Sequence, residues 1–144
     1  MRAEEDGKEL RRQLMKNLRA AAGPARQAAR QSIRSITSRR QHAGQAITSA
    51  IAQKIQVVAK TSGPAVGARI VARETPNARG FRHAPRRFNS AAGWSHPVFD
   101  SGTDVHQVGK PGWFDEPIAA RKPEYRRAVL DAIDATATRI SRRI

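Results

Sequence analysis

GWSHPVFDSGTDVHQVGKPGWFDEP, residues 93–117, contains both tryptophans, two of the four phenylalanines and three of the eight prolines of a 144-residue chain otherwise rich in alanine and arginine. Such a concentration of rings has two readings. They can form a stacking surface for nucleic-acid bases, or they can be the large side chains of a small packed body. A stacking surface needs exposed rings interleaved with Lys or Arg. Between 93 and 117 the only such cation is Lys110. The packed reading is therefore favoured, with Trp94, Phe99, Trp113 and Phe114 in a core. It places Trp94, Phe99 and Phe114 against Val129 and Ile133 of a helix further along the chain.

Working outward from this stretch, residues 94–99 and 104–108 read as short strands and GKPG at 109–112 as a turn. Downstream, Pro123 suits a helix start, with Glu124 in the first turn. Tyr125, Val129, Ile133, Ile140 and Ile144 recur at near-helical spacing, and Arg139, Arg142 and Arg143 sit at the end where the helix dipole favours cations. Upstream, residues 74–93 are rich in Pro, Asn, Arg and Gly and predict a long loop. Before them, IQVVAKT (55–61) and VGARIVAR (66–73) alternate around SGP, which predicts a β-hairpin. Its second strand puts Val66, Ala68, Ile70 and Ala72 on one face and Arg69, Val71 and Arg73 on the other.

A helical stretch over about 43–54 shows Ala43, Ile47, Ala50, Ile51 and Ile55 at three- and four-residue spacing. Leu10, Leu14 and Leu18 mark another helix over 4–22. Gly23-Pro24 predicts a break or kink there, followed by a helix over about 25–40, because proline in a helix interior costs roughly 3 kcal/mol. The fold class expected is α+β, in a single domain. A basic helical arm (1–42) precedes an α+β body (43–144) with a small antiparallel sheet, a long loop at about 74–93 and an amphipathic C-terminal helix packed on the sheet. No internal repeat is visible.

The formal net charge is +15 and the isoelectric point about 11.7, which predicts attraction to polyanions. The charge is unevenly placed: no Asp or Glu lies between Glu9 and Glu74, whereas from Asp100 onward seven acids face eight bases. On a helix Arg12, Lys16, Arg19, Arg26, Arg30 and Arg34 share one side, opposite an apolar side of Leu10, Leu14, Leu18, Ala25, Ala28, Ala29 and Ile36. These six cations are the candidates for facing DNA. The bland alternative for them is a solvated face.

The absence of cysteine excludes disulfides and thiolate metal sites. MRAEEDGKEL has acids where a signal peptide needs an apolar run, and no stretch has the length of a membrane span, so a soluble protein with no membrane partner is expected. Catalytic patterns fail. Gly102 and Gly109-Lys110 are too far apart for a phosphate loop, and Pro111 stands where a Ser or Thr is needed. His96, Asp100, Asp104 and His106 have the residue types of a divalent-metal site, but polar residues beside a turn are the simpler reading. No catalytic residue, metal or cofactor is assigned.

GWSHPVF, then Gln107, then GKPGWFDEPI and an amphipathic terminal helix resemble the pattern W-x-H-P-V-F-G … W-V-x-Q … P-x-W-F of minor tail proteins of long-tailed phages, within the tail-completion or head-to-tail joining family. The preceding ITSAIAQKIQVVAKTSGPAVGARIVAR is similar to that family's helix and hairpin, so the likeness spans roughly 45–140. Asp100 stands where the family has glycine, and Asp104 roughly where it has a second tryptophan. The resemblance implies that Trp94, His96, Pro97, Val98, Phe99, Gln107, Pro111, Trp113 and Phe114 are structural and interface signature residues.

It implies a virion protein of the neck or tail, present in the host cytoplasm during assembly. Its subunits would form a homo-oligomeric, hexameric ring between the tail terminator and the head-side connector or stopper. Genomic DNA would pass through the lumen without sequence specificity, and no enzyme activity is needed. The alternative from composition alone is a small basic nucleic-acid-binding protein of nucleoid or ribosomal type.

Overall fold

The computed structural model describes residues 2–36, 41–75, 82–97 and 104–142, and its elements form an α+β fold. Helix α1 (Arg2–Arg34) is followed by α2 (Gln41–Gln53), strands β1 (Ile55–Lys60) and β2 (Gly67–Ala72), and the short helix α3 (Ala84–Arg87). Strands β3 (Trp94–Pro97) and β4 (Asp104–Gln107) come next, then α4 (Asp115–Ala120) and α5 (Lys122–Ser141).

Helix α1 is the spine, and it corrects the expected break at Gly23-Pro24. One helix runs through Pro24. Proline removes an N–H and crowds the carbonyl four residues earlier, yet Leu18 and Ala22 before it and Ala25, Ala29 and Ile33 after it are all buried in one stripe. Burial on both sides of the proline holds the two halves on a common axis, because helical stability in proteins comes mostly from packing of the apolar face. Helices α2, α4 and α5 and the hairpin β1–β2 all pack on α1.

The first hairpin pairs Ile55 with Ala72, Val57 with Ile70 and Ala59 with Ala68 on its inner face. Gly63, at φ 84°, makes the turn between its strands. A second antiparallel hairpin pairs Trp94 with Gln107 and Ser95 with His106. The two hairpins are separate two-stranded sheets. Helix α5 packs along α1 and reaches β2 through Tyr125, whose hydroxyl donates to the Ala68 carbonyl. Burial holds the Tyr125 phenol above its ordinary pKa.

Residues 82–93 depart from the expected loop. Ala84 and Phe88, four apart and so on one helical face, are both fully buried. APRRFN looks polar because three polar residues surround one ring; the spacing, not the composition, carries the packing. The start of the segment is clamped to the end of the hairpin. Thr75 N–H donates to the Arg82 carbonyl at 3.0 Å, and Glu74 bonds Arg82 at 2.7 Å and His83 at 3.2 Å. The Arg82 hydrogen bond holds the Glu74 carboxyl below its ordinary pKa.

The main core joins Ala29 and Ile33 of α1, Ile47, Ile51 and Ala52 of α2, Ile55 of β1, and Ala84, Phe88, Trp94 and Trp113. Trp94 meets Phe88 edge to face, ring centroids 4.8 Å apart at 81°, and Trp113 meets Phe114 at 5.4 Å and 64°. Trp94 and Trp113 are thus core, as expected, with Phe114 half-buried against them, while Phe99 lies outside the described residues. The neighbours differ from those expected: Val129 and Ile133 are not part of this cluster. Helix α5 buries Ala132 and Thr136 instead, and its first turns face Ala21, Pro24 and Ala25 of α1. Small residues line this contact on both helices, while the large rings lie in the cluster with α2.

Candidate nucleic-acid interface

The six cations proposed from sequence lie along α1, but they are not equivalent. Arg12, Lys16, Arg19 and Arg34 are exposed, whereas Arg26 and Arg30 are partly buried. Arg12 bonds Glu9 at 3.1 Å, so its charge is partly matched. Arg30 turns inward: its Nη2 donates to the Ile55 carbonyl at 3.1 Å, at the start of β1. Burial, then the neighbouring charges of Arg26 and Arg34, lower the Arg30 pKa. That guanidinium serves the fold. Among the described residues Lys16, Arg19, Arg26 and Arg34 have no ion-pair partner.

Beside these cations α1 and β1 leave a trench. At one end Arg11, Arg12, Met15, Lys16 and Arg19 face Thr61 across an open cavity of about 510 Å³. At the other Arg19, Ala20, Gly23 and Arg26 face Gln56 and Val57 across one of about 500 Å³. Arg19 borders both. Sequence reasoning missed Arg11, Gln56 and Thr61. The helical period signals which cations share a face, but no local signal says which strand lies next to that face.

Away from α1, the segment 109–113 docks on α3 and the two residues after it. Lys110 N–H donates to the Phe88 carbonyl at 2.7 Å, Gly112 N–H to Asn89 Oδ1 at 2.7 Å, and Trp113 Nε1–H to the Pro85 carbonyl at 3.2 Å. Gly112 has φ 77°, a conformation that disfavours a side chain. Gln107 is buried and donates from Nε2 to the Val108 carbonyl at 2.9 Å. Pro111 is exposed and Phe114 half-buried. His96 and Pro97 lie in β3, while Val98 and Phe99 fall outside the described residues.

No family model, curated protein or solved structure matches this chain. The site therefore rests on its own chemistry. Of the candidate metal set, Asp100 lies outside the described residues. His106 is engaged with the hairpin: its Nε2 is 2.9 Å from the Ala92 carbonyl oxygen and its Nδ1 3.4 Å from Ser95 Oγ. Around Gly109 the nearest atoms are the carbonyl oxygens of Phe88 and Ser90. They are acceptors, opposite in polarity to the N–H groups that cradle a phosphate. Among the described residues, the arrangement that stands out is the row of cations on α1 without ion-pair partners, a charge pattern of the kind that attracts polyanions.

Proposed function

We propose that the protein is a structural subunit of the head-to-tail interface of a long-tailed phage. In this reading it is a tail-completion subunit, six copies forming a ring that joins the head-side connector to the tail terminator around the DNA passage. One observation carries the reading. Helix α1 is buried along one side as the spine of the body, and along another it carries Lys16, Arg19, Arg26 and Arg34, which have no acidic partner among the described residues. A conduit subunit needs this combination: a rigid element whose far side tolerates a phosphate backbone. The aromatic and proline residues of 93–117 stiffen the body and its ring contacts. Its ring contacts are head-to-tail and close on themselves. DNA contacts are to phosphates and carry no sequence preference, because every base of the genome must pass.

The test is made in particles carrying Lys16→Glu with Arg34→Glu. Infectivity and DNA release are expected to fall, while circular dichroism of the purified variant stays that of the parent, since surface substitutions usually change stability by only about 0.5 kcal/mol. Quantifying the protein in purified particles is expected to give a ring's worth of copies. One copy per particle, or full infectivity of the variant, sinks the reading. Absence from particles together with binding to cellular nucleic acid makes it a small basic nucleic-acid-binding protein instead.

A further inference from the structure

The bases on α1 do not act as a bare helix face, because β1 lies alongside them. We propose that the trench between α1 and β1 is a phosphodiester-binding site. In it Lys16, Arg19 and Arg26 hold backbone phosphates of a nucleic acid, and Gln56 and Thr61 hydrogen-bond the same strand. This rests on the reading that the cations of α1 face nucleic acid.

The lining points to a linear polyphosphate. The charged residues lining both ends of the trench, Arg11, Arg12, Lys16, Arg19 and Arg26, are all cations. They are strung along the helix and do not converge on one point: from Arg12 to Arg26 the axis rises roughly 21 Å at 1.5 Å per residue, about six nucleotide steps of a duplex strand at 3.4 Å each. A single free anion would meet only part of such a row. Between Arg19 and Arg26 the floor is also low, since Ala20 and Gly23 lie there and a Cβ placed on Gly23 would meet nothing within 4 Å. A backbone can therefore come close to the helix between the flanking cations. Gln56 and Thr61 supply neutral donors on the opposite wall. The apolar side chains along it are Met15, Ala20 and Val57, and the stems of the cations supply further apolar surface.

Arg30, on the same helical side, is absent from the trench lining and bonded to Ile55. The trench thus separates cations that the helical period alone makes alike.

The experiment measures binding of the full chain to two duplexes of unrelated sequence, labelled with a fluorophore, across a salt series. Arg19→Ala with Arg26→Ala is compared with Arg126→Ala with Arg127→Ala. The second pair removes the same charge from exposed positions on α5, and circular dichroism checks both variants. Each phosphate contact contributes about 0.9 to the slope of log affinity against log salt. The trench variant is expected to lose roughly 2 from that slope and to weaken equally on both duplexes, while the α5 variant keeps the parent slope. Equal losses in the two variants would mean that net charge alone drives binding. That result, no binding by the parent chain, or tighter binding to polyglutamate than to DNA overturns the trench. None of these outcomes measures particle assembly, so the trench can fail with the ring intact, and the ring can fail with the trench intact.

Discussion

At the scale of single residues, Trp113 shows how the aromatic stretch works. Its ring is 2% exposed, its Nε1–H donates to Pro85, and neighbouring backbone groups at Lys110 and Gly112 are bonded to Phe88 and Asn89. One side chain and two amides thus fasten 109–113 to α3. Trp113→Ala should lose about 3–5 kcal/mol, the cost of emptying a large buried site, enough to unfold much of a domain this small. Urea denaturation followed by far-ultraviolet circular dichroism reads the effect. A loss under about 1 kcal/mol would mean that the ring is not part of a cooperative core. The burial of Trp113 is legible in the sequence, because the stretch lacks the cations a stacking surface needs. Its partner is not, because Phe88 stands alone among polar residues and its contact with 109–113 is long-range.

At the scale of elements, α1 is where local rules and tertiary packing disagree. Gly23 and Pro24 are both poor helix residues, yet the helix continues, held by the buried stripe from Leu18 to Ile33. Gly23 therefore carries a backbone-entropy cost with no steric need for glycine, since a Cβ there would find open space. Gly23→Ala should stabilise the protein by about 0.5–1 kcal/mol, seen as a higher denaturation midpoint with an unchanged denaturant slope. A destabilised variant would show that the helix is interrupted at Gly23. The apolar side of α1 is visible in the sequence from period alone. The inward turn of Arg30 is not, since only the arrival of β1 beside that position offers it a carbonyl.

At the scale of the whole molecule, α5, α1 and the first hairpin are joined at Tyr125, which projects from α5 to the Ala68 carbonyl of β2. The folded state favours the neutral phenol because burial disfavours the phenolate. Its contribution to stability is therefore fully present below the unfolded value of about pH 10, and it is lost as pH rises through the higher folded value. As the chain has one tyrosine, phenolate absorbance reports this group alone. In the folded protein it should appear at higher pH than in the urea-unfolded chain. Tyr125→Phe should abolish this part of the alkaline loss, with a small loss at neutral pH from the unpaired carbonyl, about 1 kcal/mol. Identical titration in the folded and unfolded states would show that Tyr125 does not bridge the layers.

The α+β class, the first hairpin and its inner face apart from Val66, which precedes β2 and is exposed, the terminal helix and the two-sided character of α1 follow from the sequence by itself. Each is set by a local period of apolar residues, and a period survives any arrangement of neighbours. Only the tertiary structure decided that α1 runs through Pro24, that Ala84 and Phe88 are core, and that α5 lies along α1 away from the tryptophans. It also selected among the cations, turning Arg30 inward and leaving Lys16, Arg19 and Arg26 beside β1. These outcomes depend on which surfaces meet, and burial between residues distant in the chain outweighs the local cost of a proline or the polar look of a short segment.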